Sequence, residues 1–176
     1  MAVRFRHVRR AGTYLRVADP DWDDPLDGSF AAERGGRWNP PGSFAVVYLC
    51  ATVEVARANA LRKLGGLPYG LLDLRSDRRP DLVAAEVPDA RPVDVVTDAG
   101  CRAAGLPATY PKDGRGREVP WTRCQPVGSA AWSQGEPGIV CRTAASVERG
   151  EELAWFPDHG GALRLLTRRA FDDWFA

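Results

Sequence analysis

The chain has 176 residues, 24 Lys+Arg against 23 Asp+Glu, and a formal net charge of +1. This length suits one domain over residues 1–176, with a core that needs no disulfide staples. Ordinary fractions of hydrophobic (44%) and charged (27%) residues exclude an acidic disordered chain, and the balanced charge argues against a protein built to grip nucleic acid.

The N-terminal stretch Met1–Pro20 is basic but has no apolar run behind its charges, so it does not read as a secretory signal. No run reaches the eighteen or more apolar residues of a membrane span. Thr13–Val17 is predicted as a strand. Residues 18–44 are broken by Asp, Pro and Gly and predict a long irregular loop, yet they carry Trp22, Phe30, Arg37, Trp38 and Asn39. Large side chains on such a loop suggest an ordered loop with a role. Phe44–Cys50 is an apolar run that predicts a buried strand. Thr52–Leu64 predicts a helix. Thr52 is its N-cap, Glu54 lies in the first turn, Arg62 and Lys63 lie in the last, and Gly65 stops it. Asn59 shares a face with Val55, Ala56 and Lys63.

Tyr69–Leu74, Leu82–Val87 and Val93–Val96 are predicted strands, and Thr97 caps a helix to about Ala104. Residues 107–121 form a loop. Thr122–Trp132 suggests a short helix against the grain of Pro126 and Gly128. Gly138–Arg142, Glu152–Phe156 and Leu163–Thr167 are further strands, and Arg169–Phe175 a terminal helix. Strands outnumber helices without alternating with them, which gives an α+β fold with a mixed or antiparallel sheet.

No P-loop, G-x-G-x-x-G, G-x-S-x-G or H-E-x-x-H motif is present. His7 and His159 read as solvated or structural. Cys50, Cys101, Cys124 and Cys141 are far apart in apolar stretches. They argue against a zinc site and for buried, reduced thiols, although two disulfides are arithmetically allowed. The protein is therefore expected in the cytoplasm.

The basic residues are skewed. Lys63 and Lys112 are the only lysines, and every other cation is arginine. Codon bias explains the skew as a whole, so individual arginines have to be judged separately. Arg37 stands out because it follows Gly35-Gly36, which lets backbone approach a ligand that a guanidinium fork grips. Two other segments carry chemistry: Val47-Tyr48-Leu49, leading into the helix with Asn59, and the strand Gly138–Arg142, which runs into Thr143-Ala144.

In this order the segments resemble the RES domain family. The resemblance starts at Tyr14-Leu15-Arg16-Val17 and continues through Pro25-Leu26-Asp27-Gly28. It then takes in Gly-Gly-Arg-Trp-Asn-x-x-Gly at 35–42, Tyr48-Leu49 and the following helix, the strand at 138–144, and Glu152–Pro157. The resemblance implies an ADP-ribosyltransferase-like split sheet with flanking helices and a cleft for NAD. It implies a toxin that degrades NAD+ as a phosphorylase or glycohydrolase, with NAD as substrate, no metal, and an Xre-type antitoxin as partner. No direct nucleic-acid or membrane contact is implied, and the oligomeric state stays open.

By the same resemblance Arg37, Tyr48, Asn59 and Thr143 hold the catalytic positions, and Arg16, Arg37, Trp38, Asn39 and Tyr48 the NAD-binding ones. Two positions depart from the family pattern. Thr143 stands for a serine and keeps a hydroxyl. Asn59 stands for a glutamate and brings no charge to an oxocarbenium-like transition state, a loss of about 10²–10³ in rate. Glu54 cannot replace that glutamate, being about 140° around the helix from Asn59. If the missing charge is the whole story, Asn59→Glu raises activity. The rival readings are a non-catalytic NAD- or ADP-ribose-binding module, and an interaction domain that docks an acidic partner or nucleic acid through Arg4–Arg10.

Overall fold

The computed structural model describes residues 3–175. Its centre is a seven-stranded mixed sheet. The strands are β1 (Arg10–Ala18), β2 (Val47–Cys50), β3 (Asp81–Ala90), β4 (Val93–Val95), β5 (Gly138–Arg142), β6 (Glu151–Trp155) and β7 (Arg164–Arg169). Their spatial order is β4-β5-β6-β2-β1-β3-β7. Only β4 and β5 run parallel; every other pairing is antiparallel. The helices are α1 (Ser29–Arg34), α2 (Val53–Lys63), α3 (Asp98–Ala103), α4 (Trp121–Ser133) and α5 (Pro157–Gly160).

The sheet is nearly cut in two. β1 and β3 pair along eight partners from Arg10 to Ala18, but β1 and β2 meet at one register pair, Leu15↔Cys50. Antiparallel continuation would set Arg16 against Leu49 and Val17 against Tyr48. Those four residues instead line an opening. The halves β4-β5-β6-β2 and β1-β3-β7 therefore diverge from a single junction, which is the split sheet implied by the family resemblance.

Two hydrophobic clusters follow from this division. One gathers Trp38, Val46, Tyr110, Cys124, Ile139, Cys141, Ala154 and Phe156 under α4. The other gathers Cys50, Val55, Ala56, Ala60, Leu82, Phe171 and Trp174 under α2. A third, with Tyr14, Val47, Leu49, Val140, Leu153 and Trp155, fills the opposite face of the sheet. Alternation explains the assignment, since Val47 and Leu49 face one way and Tyr48 and Cys50 the other.

α2 forms as its sequence signals direct. The Thr52 hydroxyl accepts from Val55 N at 3.3 Å, Glu54 is in the first turn, and Arg62 and Lys63 are in the last. Thr97 caps α3 in the same way, accepting from Gly100 N at 3.0 Å. α4 is slightly longer than the sequence suggests and runs through both Pro126 and Gly128, the second of which has a tertiary use. Gly128 lies against the Trp38 backbone, where any Cβ would overlap the Trp38 carbonyl. The four cysteines are buried and free.

Three expectations are corrected. Tyr69–Leu74 is no strand: a 3₁₀ turn spans Leu71–Asp73, closed by Asp73 Oδ2 accepting from Gly70 N at 2.7 Å. Leu71 alone is buried there and Leu72 is exposed, so the apolar residues do not form a strand face. The irregular 18–44 loop contains the short helix α1. The C-terminal segment keeps Arg164–Arg169 in the sheet, and only Phe171–Asp173 turns helically.

Candidate active site

A cleft of about 480 Å³ opens where the sheet divides. Its walls are the ends of β1 and β2, one side of α2, the loop through Gly35-Gly36-Arg37, Trp22, Phe30, Trp121 and Glu152.

Arg37 is held deep in one wall, with its side chain 11% exposed. Nη1 donates to Val119 O at 3.2 Å and Nη2 to Glu118 Oε1 at 2.5 Å. Arg62 Nη2 donates to the same carboxylate, at 2.5 Å to Oε1 and 2.6 Å to Oε2. Two guanidiniums from different elements thus converge on one anion. Burial opposes the Arg37 charge, but the Tyr110 hydroxyl and the Glu118 bond outweigh it, and its hold on the proton is raised. Burial likewise opposes the Glu118 charge, yet bonds from Arg37 and then Arg62 carry its carboxyl below the ordinary value of 4.5.

Tyr48 explains why Gly36 precedes Arg37. A Cβ on Gly36 would lie 2.5 Å from the Tyr48 hydroxyl. That hydroxyl donates to Asn39 Oδ1 at 2.7 Å and accepts from Trp38 N at 2.9 Å. Burial above all keeps it protonated, pushing its pKa up. The ring borders the cleft while its hydroxyl fastens the loop. Gln125 Nε2 from α4 fastens the same loop, donating to Gly36 O at 3.0 Å.

Asn59 points from α2 toward β6. Its Nδ2 donates to Glu152 Oε1 at 2.7 Å and approaches Cys50 Sγ at 3.6 Å. Glu152 stands directly across from Cys50 in the β2–β6 register. No cationic side chain pairs with it among the described residues. The Cys50 thiol is pushed up to about 12, by burial first and then by Glu152, and is inert at neutral pH.

The structure thus brings Arg16, Arg37, Tyr48 and Asn59 to one cleft. Arg16 is 6% exposed and directed at the neighbouring loop. Nη1 donates to Pro25 O at 2.9 Å and Asp27 O at 3.1 Å, and the guanidinium lies 5.0 Å from the Trp22 ring centroid. Burial brings its pKa down to about 10, so it stays charged at neutral pH.

Three expected site residues lie elsewhere. Trp38 is buried against Tyr110, and Asn39 is fully buried with Nδ2 donating to Ala31 O at 2.7 Å. Both stand behind the cleft and shape its loop, which corrects the expectation of direct contact. Thr143 is also buried, its Oγ1 accepting from Ala145 N at 3.1 Å. The residues after it, Ala144, Ala145 and Ser146, line a separate depression with Ala58, Leu61 and Arg62. Turned onto its own backbone, the Thr143 side chain is not among those lining the main cleft.

Sequence reasoning overlooked Arg62, Glu118, Trp121 and Glu152. Arg62 had a legible signal, since it lies three residues from Asn59 and so on the same helix face. Glu118 sits in a loop of glycines and prolines with no periodicity to place it. Glu152 reaches the cleft through strand register, which is non-local. Neither histidine lines the cleft: His7 meets Glu136 at 2.9 Å and His159 packs 5.1 Å from the Trp132 ring. Among the described residues no cluster of three His, Cys, Asp or Glu forms a metal-ligand set, and no helix is long and apolar enough to cross a membrane.

A split α+β sheet with an arginine-lined cleft at its division defines the class, and the family model for the RES domain matches residues 13–174. The chain belongs to the RES domain family. Over 126 residues it is 29% identical to the proteins named NAD(+) phosphorylase MbcT of Mycobacterium bovis and Mycobacterium tuberculosis. The match covers 70% of this chain and 63% of theirs, so the chain spans under two thirds of the curated relatives' length. In structure it is similar to a chain in the crystal structure of the M. tuberculosis MbcT–MbcA toxin–antitoxin complex. The TM-score is 0.73 at 23% identity, covering 96% of this chain and 91% of that one, a likeness of fold.

Proposed function

We propose that this chain cleaves the nicotinamide–ribose bond of NAD+ with phosphate or water as acceptor, acting in the cytoplasm as the toxin of a pair with an Xre-type antitoxin. The observation that carries the reading is that Arg37 and Arg62 both line the cleft and close on one carboxylate, Glu118. Two forked cations on one anion are the arrangement that grips a diphosphate, which would take the place of Glu118. Arg37 keeps the role the family resemblance implies. Arg62 takes the second diphosphate position in place of Arg16, whose Nη1 is engaged by loop carbonyls.

Trp22, Phe30 and Trp121 give the cleft an aromatic lining for the bases. Tyr48 packs beside the nicotinamide ribose, with Asn59 on the adjoining wall, donating to Glu152. Thr143 contributes by fixing the turn after β5 rather than by touching the ligand. The relatives' printed name, a phosphorylase of NAD+, supports the choice of substrate, and the toxin–antitoxin title of the structural neighbour supports the choice of partner.

The test is NAD+ consumption by purified protein with and without inorganic phosphate, following nicotinamide and ADP-ribose or its 1″-phosphate. Turnover in either buffer is the expected result. Calorimetric NAD+ binding without turnover in both would establish the binding-module reading instead.

A further inference from the structure

We propose that Glu152, held by Asn59, is the carboxylate that faces the ribose carbon during bond cleavage, so that the charge absent from α2 is supplied by β6. The assignment rests on the NAD+-cleaving reading above. It is carried by three observations. Glu152 lines the cleft that also holds Arg37, Tyr48 and Asn59. Its Oε1 accepts from Asn59 Nδ2 at 2.7 Å, so the residue in the family's glutamate position fixes a carboxylate rather than providing one. No cation pairs with Glu152 among the described residues, whereas Glu118, the carboxylate between the cleft arginines Arg37 and Arg62, is held by two.

The chemistry follows from that placement. The C1′–N bond to nicotinamide breaks and its electron pair stays on the ring nitrogen, which becomes neutral. Positive charge spreads over C1′ and the ring oxygen of the ribose. A phosphate oxygen forms the new C1′–O bond, and HPO₄²⁻ releases its proton to solvent; water as acceptor likewise loses one proton. Glu152 forms no bond in either case. It stabilises the cation electrostatically from a fixed position, which costs no reorganisation at the moment of reaction. Asn59 is a positioning residue that acts through Glu152.

Glu152→Gln keeps the size and one acceptor oxygen and removes the charge. The expected result is a fall in kcat of about 10²–10³-fold, with NAD+ affinity by calorimetry within about threefold of wild type. Asn59→Glu alone sets two carboxylates against each other and is expected to lower turnover, opposite to the expectation from sequence. The double variant Asn59→Glu/Glu152→Gln moves the charge back to the helix with the hydrogen bond reversed, and turnover should recover well above that of Glu152→Gln.

A merely structural Glu152 would not be rescued by that exchange. If wild type turns over NAD+ and Glu152→Gln stays within threefold of its kcat, the assignment is overturned while the enzyme reading stands. A wild type that binds NAD+ but never cleaves it overturns the enzyme reading first. Should Glu152→Gln fail to fold by thermal melt, Asn59→Ser gives the decision. A lower kcat at near-constant KM supports the assignment, and an unchanged kcat overturns it.

Discussion

At one end of the cleft two guanidiniums, Arg37 and Arg62, share the single carboxylate of Glu118. Three residues before Arg62 on α2, a rise of about 4.5 Å, Asn59 holds the carboxylate of Glu152 through its neutral amide. The first end has more cation than anion and the second has anion without cation. An apolar sheet interior would tolerate neither surplus unless partners fixed it, and here each charge has its own bonds. A molecule with a diphosphate and a cationic ring on its ribose would meet a complement at both ends. The two ends are also built differently, one from a loop and the close of α2, the other from the middle of α2 and a strand.

The contrast can be broken by mutation. The largest effect belongs to the carboxylate end, where Glu152→Gln should act on kcat. At the guanidinium end, Arg37→Ala removes bonds to a carboxylate and a carbonyl, each bond of a charged group being worth about 1.5–3 kcal/mol. It should raise KM for NAD+ roughly 10–100-fold, with a smaller change in kcat. Steady-state kinetics of the two variants side by side decides the matter: the same kcat-to-KM split in both would dissolve the distinction between the ends.

A smaller effect is expected between them. Tyr48→Phe leaves the buried Asn39 Oδ1 and Trp38 N without their shared hydroxyl and should cost about 1–3 kcal/mol of stability, read by urea titration. The smallest concerns the internal anion. Glu118→Gln weakens the clamp, so KM for NAD+ should fall a few-fold, on the order of 1 kcal/mol. The same clamp predicts a pH dependence. Because the folded Glu118 pKa lies below its ordinary 4.5, its stabilisation is complete above that value and is lost as pH falls through the lower folded one. In acid titration the stability of wild type and Glu118→Gln should run parallel above the ordinary value of 4.5 and converge as pH falls below it.

Much of this was readable in the chain. α2 with its Thr52 cap, α3 with Thr97, the strand cores and the Gly-Gly-Arg loop all follow from local chemistry, and Arg37, Tyr48 and Asn59 do reach one cleft. What escaped was non-local. The position of Glu152 depends on β6 pairing with β2 in the register Cys50↔Glu152. Nothing near residue 152 announces that partner, across 101 intervening residues. Trp38 and Asn39 were placed among the NAD-binding residues by the family resemblance, yet both lie off the cleft lining and bury the back of the loop they shape. α4 was obscured by Pro126 and Gly128; the cost of Gly128 is met by the close approach of the Trp38 backbone.

The single Leu15↔Cys50 junction has a consequence for how damage spreads. The cluster around Ile139 and the cluster around Leu82 lie on opposite sides of the division and share no member. Ile139→Val should cost about 0.5–1.5 kcal/mol and Leu82→Ala about 2–5 kcal/mol. The double variant should equal their sum within about 0.5 kcal/mol, because sites without common partners do not couple. Sequence drift within either of these two clusters can then proceed without compensating change in the other, whereas residues that meet across the division, Asn59 with Glu152 at the opening and Tyr14 with the third cluster on the opposite face, are bound to change together.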